Sequence, residues 1–419
     1  SSFFRISPSA LKYKRLFWGW FMMLCRFLFR NFRSYKDEAI LDMQAAGISE
    51  FSDSLLGGFR DKRTFLPVAV IYGPNGGGKS NVLKALSALA SIVQAPLSLL
   101  DRKSGTAPNP YQNAPFSFDE LSRKDASYFE VFFRVHESEY RYAISIGENG
   151  IESESLYKKA IGGRKIALIF DRNGNSAEYG AGLKLFANLP LNPEMPLLSF
   201  LAIATNIDPV KEAAGWFKGL ISVSYNLEES DRFFQESGER TKRIVLSILN
   251  AMDIAITDYA YDDEKKRVIL KRTVNGKEYN IPFANESEGT KKLIGFLPQV
   301  ITALNEGRIV LIDELDAKLH PKLIKNIILL FKNPQINKKR AQLIFTSHDL
   351  ATMRNDVFRR DEIWFAEKNQ QGASMLYSLY DIYDEKNRHI ESSAEFGAQY
   401  LEGRYGADPY LKKIKEWEN

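Results

Sequence analysis

Three short stretches of this chain carry residue types at spacings that suit chemistry on a phosphate. The first is Gly73-Pro74-Asn75-Gly76-Gly77-Gly78-Lys79-Ser80, which fits G-x-x-x-x-G-K-[ST]. Its glycines let successive backbone N–H groups turn inward around phosphate oxygens. Lys79 supplies a point charge for the β and γ phosphates, and the Ser80 hydroxyl suits Mg²⁺. A glycine-rich turn with a merely solvated lysine is the plain alternative. The second stretch is the apolar run Arg308-Ile309-Val310-Leu311-Ile312 that ends in Asp313-Glu314. If its carboxyl end faces the glycine loop, Asp313 is placed to hold the metal and Glu314 to polarise an attacking water; otherwise it is a strand whose end reaches solvent. The third is Leu343-Ile344-Phe345-Thr346-Ser347-His348-Asp349. There His348 either senses a γ-phosphate or is an incidental loop residue. ATP and Mg²⁺ are the cofactors this set predicts.

These residues need a frame that brings them to one edge. Pro67 to Tyr72 reads as a buried strand feeding the loop, with a helix starting near Lys79. Thr290 to Ala303 reads as a helix, Arg308 to Ile312 as a buried strand, Pro321 to Phe331 as a helix and Ala341 to Thr346 as another buried strand, so the second half is an α/β sheet. Before it, residues 24–43 read as strand, turn and strand, Tyr128 to Phe170 alternates like an antiparallel meander, and 182–252 has mainly helical spacing. Three further strands follow, the last two joined by the hairpin signal Asn275-Gly276. The expected organisation is an extension over 1–22, the first part of a nucleotide-binding head over 23–127, a β-rich lobe over 128–180, a helical insertion over 181–252, the second part of the head over 253–369, and a C-terminal segment over 370–419.

With 419 residues, 44% hydrophobic and 26% charged, the chain can bury a large core. A net charge of +5 permits nucleic acid without predicting it. Cys25 is the single cysteine, which rules out an intrachain disulfide or a thiolate zinc site and fits a reducing cytoplasm. Leu16 to Phe29 is strongly apolar, but it is shorter than a bilayer span and broken by Arg26, so no membrane span is expected. The pair Met22-Met23 reads as a candidate internal start.

The three stretches together resemble Walker A, Walker B and the switch histidine of ABC-type ATPases, with Leu315-Asp316-Ala317 as the D-loop. Asn31-Phe32-Arg33-Ser34-Tyr35 is similar to the N-terminal strand-turn of SMC, RecF and RecN proteins, in which the basic residue, here Arg33, lies near the nucleotide. The phrases NFRSYKDEAILDM, AVIYGPNGGGKSNVLKAL, LIDELDAKLHPKL and QLIFTSHD resemble the RloA/AbiLi-type ATPases of bacterial phage-defence and abortive-infection systems, relatives of the OLD and Septu ATPases. The fold implied is an α/β ABC/SMC-type P-loop head with a β-rich lobe and a helical insertion, and Asn81 joins the nucleotide-binding set. Asn285-Glu286-Ser287-Glu288-Gly289-Thr290 occupies the place of the ABC signature, with Ser287 and Gly289 for its serine and glycine. It departs from that pattern at Glu288, and it also reads as a plain helix N-cap.

The resemblance implies an ATP-hydrolysing subunit that forms an ATP-dependent head-to-head dimer and controls a separate effector, such as a Toprim-type nuclease. A RecF-like repair ATPase and a stand-alone ATP-dependent nuclease are the alternatives. Asp262-Asp263-Glu264-Lys265 is a solvated turn or, less simply, a nuclease centre. With about seventy residues after His348, too few for the Toprim module that OLD-type relatives append, the expectation is that none is carried there. Gln112 is the one candidate for a Q-loop, His320 reads as structural, and His136 and His389 carry no chemistry. The aromatic, basic ending Ala398-Gln399-Tyr400-Leu401-Glu402-Gly403-Arg404-Tyr405-Gly406 suits either partner docking or a helix closing the core.

Overall fold

The computed structural model describes residues 22–98, 114–223, 238–251, 254–262, 264–265, 267–384 and 386–406. The extension before Met22, Gln112 and Asp263 lie outside the described residues. At the centre is a six-stranded sheet of β3 (Val68–Tyr72), β9 (Leu220–Val223), β13 (Ile309–Ile312), β14 (Gln342–Thr346), β15 (Ile363–Lys368) and β16 (Ser374–Ser378), in the order β16-β15-β3-β14-β13-β9. All neighbours are parallel except the edge strand β16. Both faces are covered, which is why β3, β13 and β14 read as unbroken apolar runs. Along β3, Ala69 and Ile71 enter one core while Val68, Val70 and Tyr72 enter the other, as the period of two requires.

The first core lies under a seven-stranded antiparallel sheet: β1 (Met22–Arg30), β2 (Ala39–Asp42), β4 (Ser127–Val135), β5 (Ser138–Gly147), β6 (Gly150–Ala160), β7 (Ile166–Asn173) and β8 (Ser176–Tyr179), in the order β2-β1-β4-β5-β6-β7-β8. Between the sheets run α1 (Lys79–Ser98), α3 (Leu197–Ala204) and α4 (Asp208–Lys218); α2 (Glu120–Lys124) is a short helix before β4. The buried Gln342 side chain joins the two sheets, accepting from Leu24 N–H at 2.7 Å and donating to the Leu24 and Leu66 carbonyls at 3.1 and 3.0 Å. The second core is covered by α5 (Glu239–Ala251), α6 (Glu288–Glu306), α7 (Pro321–Lys332) and a three-stranded sheet, β10 (Asp258–Asp262), β11 (Arg267–Val274) and β12 (Lys277–Pro282). Asn275 and Gly276 turn β11 into β12 with φ 51 and 75, the double left-handed turn their types favour.

Strand pairing crosses three of the expected divisions. The meander beginning near residue 128 shares its sheet with β1 and β2, so that boundary cuts through one sheet. The helical insertion contains β9, and the C-terminal segment contains β16, both strands of the central sheet. A four- or five-residue apolar run does not announce which distant run it will pair with. The aromatic C-terminal segment, read as docking a partner or closing the core, sends two of its rings inward. Tyr400, on α8 (Phe396–Leu401), and Tyr405 are buried, and Tyr400 stacks on Phe365 with ring centres 5.4 Å apart. Tyr400 and Tyr405 thus help close the core, while Leu401 to Arg404 between them are exposed.

Candidate nucleotide-binding site

β3 is buried along its whole length and delivers the glycine loop at the carboxyl edge of the central sheet, where α1 begins at Lys79. The loop is pressed against β15. A side chain on Gly73, at φ 145, would put its Cβ 2.1 Å from the Ala366 carbonyl oxygen, and one on Gly77 would lie 2.5 Å from the same atom, so neither position accepts anything but glycine. The Gly77 N–H donates to Pro74 O and the Asn81 N–H to Gly78 O, both at 3.0 Å. Pro74 is half-buried, Asn75 and Gly76 are exposed at the tip, and Gly78 and Lys79 are buried. The Lys79 ammonium donates to the carbonyls of Gly73 and Pro74 at 2.9 and 3.0 Å. Burial pulls its pKa below the ordinary lysine value, against the opposing field of Asp313, Glu314 and Asp316.

Ser80 and the Asp313-Glu314 pair meet directly. Ser80 Oγ donates to Asp313 Oδ1 at 2.8 Å, the same oxygen accepts from Thr346 Oγ1 at 2.6 Å, and Thr346 Oγ1 accepts the Glu314 N–H at 2.7 Å. This chain of bonds exists because β14 lies between β3 and β13 in parallel register, bringing three strand ends level. Glu314 is exposed and has φ 49, a left-handed conformation that is unfavourable for an L-residue by roughly 1–2 kcal/mol. His348 follows β14 with an exposed imidazole, and its backbone N–H donates to Asp316 Oδ2 at 3.1 Å.

The Asn31–Tyr35 turn reaches the loop, but through other residues than Arg33. Asn81 Nδ2 and Ser374 Oγ both donate to Ser34 Oγ at 2.8 Å, and the Tyr35 hydroxyl donates to Gly78 O at 3.4 Å. Asn81 therefore braces the loop with its side chain. Arg33 is exposed at φ 53, its N–H bonded to Ala114 O at 2.6 Å and its guanidinium 5.6 Å from the Phe32 ring centre.

Ser287 and Gly289 stand at the start of α6. Ser287 is its N-cap: Oγ accepts the Thr290 N–H at 3.2 Å and donates to Thr290 Oγ1 at 2.9 Å. A Cβ on Gly289 would lie 2.7 Å from the Lys318 carbonyl oxygen, so close approach of the turn after β13 already requires a glycine there. Glu288, the departure from the signature pattern, pairs with Lys291 and with Lys318 at 3.2 Å; these exposed pairs add little stability but offset its charge. The contacts of Ser287 and Gly289 are thus with Thr290 and Lys318 rather than with the phosphate loop of their own chain.

Sequence reading missed Thr346, Ser34, Ser374 and Lys292, whose ammonium donates to the Glu314 carbonyl oxygen. Thr346, directly before Ser347-His348, could have been found from its place at a strand end. Ser374 lies far along the chain from the loop it supports and has no local signature. His320 caps α7, accepting the Lys322 N–H at 3.2 Å. Asp262 pairs with Lys265 in an ordinary turn.

Ser80 and Asp313 form a hydroxyl and carboxylate pair of hard oxygen donors, the kind Mg²⁺ takes together with water and phosphate oxygens. Among the described residues no group of three or more His, Cys, Asp or Glu side chains is placed to hold a metal, so a magnesium ion here would draw its remaining ligands from the nucleotide and solvent. None of the described helices is long and apolar enough to cross a membrane.

A phosphate loop and an Asp-Glu strand, separated by one intervening strand of a parallel sheet covered on both faces, define an α/β P-loop ATPase. Within that class, the chain belongs to the family described as "AAA domain, putative AbiEii toxin, Type IV TA system", which matches residues 68–354. No curated protein matches the chain. Among solved structures it is similar to the SMC head domain from Thermotoga maritima, at 13% identity and a TM-score of 0.41 over 85% of this chain and 98% of that one. An Smc head domain from Pyrococcus furiosus, bound to the C-terminal domain of ScpA, aligns at 12% identity and a TM-score of 0.40 over 85% and 96%. The fold assignment rests on the strand order and loop geometry above.

Proposed function

We propose that the chain hydrolyses ATP at a site completed by a second copy, and that the nucleotide state of this dimer controls a separate effector, such as a Toprim-type nuclease, in a bacterial defence system. The observation that carries the reading is the bond chain from Ser80 through Asp313 and Thr346 to Glu314. It joins the Ser80–Asp313 oxygen pair to Glu314, whose backbone is held and whose side chain is exposed. Gly73 to Gly78 and Lys79 bind the β and γ phosphates, Ser80 and Asp313 hold Mg²⁺, Glu314 orients and polarises water, and His348 reads the γ-phosphate. Bound Mg²⁺ would neutralise charge on the transferring phosphoryl group. Ser287, exposed, and Gly289, half-buried, lie at a helix N-terminus and suit the γ-phosphate of a nucleotide bound to the other copy. The defence context is supported by the toxin–antitoxin description of the family, and the net charge of +5 permits nucleic acid contact.

Glu314→Gln tests the reading. It keeps shape and removes the basic carboxylate, so turnover is expected to fall by about 10² or more while ATP still binds. The variant should then accumulate as a dimer in ATP and not in ADP, measured by size-exclusion chromatography with light scattering. The same mass in both nucleotides, with normal ATP binding, would sink the ATP-gated dimer. Co-purification from the native host identifies the effector; recovery of replication proteins instead would favour a repair ATPase.

A further inference from the structure

Glu314 is held by its backbone in an unusual way. Its N–H and that of Leu315 bond to Thr346, at Oγ1 (2.7 Å) and at the carbonyl (3.1 Å), and its own carbonyl accepts the Ala317 N–H at 3.1 Å. All of these partners lie on β14 or in the turn itself. The remaining partner is different. The Lys292 ammonium reaches the Glu314 carbonyl from α6, the helix whose first residues are Glu288 and Gly289. The same helix start meets the end of the turn, through Gly289 against the Lys318 carbonyl and Glu288 against the Lys318 ammonium. Lys318, like Glu314, is left-handed, at φ 63. The turn from Glu314 to Lys318 therefore meets α6 at both ends.

We infer that Lys292 is a positioning residue for Glu314, tying the helix that begins at Ser287 to the carboxylate that addresses the water. The inference rests on the catalytic role proposed above for Glu314. Burial pulls the Lys292 ammonium below the ordinary lysine value, and the carboxylates of Asp316, Glu314 and Asp313 oppose that pull. A bond from an ammonium to a carbonyl is stronger than one between neutral groups. In a dimer, whatever grips Ser287 of one copy would then act on the Glu314 of that same copy, linking the two nucleotide sites.

Lys292→Met keeps the length of the side chain and removes its ammonium; Lys292→Arg keeps a cation. For Lys292→Met the expected result is an ATP dissociation constant within about twofold of wild type and a kcat lowered about tenfold or more, with Lys292→Arg recovering part of the loss. Amide hydrogen exchange should quicken across 313–318 and stay unchanged across 73–80. Wild-type turnover by Lys292→Met overturns the inference. So does an equal loss of ATP affinity and of exchange protection throughout the head, which would mark a residue that only supports the fold. If Lys292→Met does not fold, Lys292→Gln carries the same measurements. Should the wild-type chain itself hydrolyse no ATP, the proposed function fails on its own, and the exchange of 313–318 in the ATP-bound protein decides the role of Lys292.

Discussion

The phosphate loop and the start of α6 are both glycine-bearing turns into a helix, yet they are held in opposite ways. The loop is wedged between β15, which closes on Gly73 and Gly77, and the Ser34–Ser374 pair, which reaches it through Asn81. Its lysine is buried and bonded to loop carbonyls. The start of α6 has an exposed N-cap serine and an exposed acidic residue, and its contacts include Gly289 on Lys318 and Lys292 on Glu314. One turn is shaped by its own chain, so substitution there should act within a single copy. The other keeps its N-cap serine exposed, so substitution there should act on a second copy.

The largest effect expected to separate the two is Lys79→Ala. Without its ammonium the loop loses the main counter-charge to the β and γ phosphates, and ATP affinity should fall by about a hundredfold or more in monomer and dimer alike. Equilibrium binding of labelled ATP measures this, and an unchanged affinity removes the assignment of the loop. Ser287→Arg should do the reverse, leaving ATP binding by the monomer nearly intact while hydrolysis falls by about 10². Mixing it with Lys79→Ala should restore one working site per heterodimer, the one that combines a wild-type Lys79 with a wild-type Ser287. Wild-type hydrolysis by Ser287→Arg alone would show that the serine only caps its helix.

The smallest expected effect concerns pH. Burial pulls the Lys292 ammonium down to about 8 from the ordinary lysine value of 10.5. Below about 8 both folded and unfolded chains hold the proton, and the burial penalty is fully present. Between the two values the unfolded chain binds more protons than the folded one, so this residue makes stability rise with pH across that window. Denaturant unfolding of wild type and Lys292→Met across that range gives the difference; a stability gap that stays flat or moves the other way would show that Lys292 is not desolvated as its place on α6 implies.

What could be read from the residues alone was local. Gly73 to Ser80 announced a phosphate loop because glycine spacing and a following helix are contiguous in the chain, and β3, β13 and β14 were legible because burial on both faces writes itself as an aliphatic run. The Asn275-Gly276 hairpin was legible for the same reason, since its turn chemistry lies within two residues. The role of Asn81 as a brace, the closing of the core by Tyr400 and Tyr405, and the joining of β1 and β2 to the meander were decided by tertiary structure. Thr346, Ser374 and Lys292 belong with them: each acts on a residue brought near only by strand order or helix packing, and a hydroxyl or an ammonium carries no mark in the sequence of the distant carbonyl or carboxylate it will meet. Periodicity reports which face a residue shows to the core; it does not report what stands on the other side.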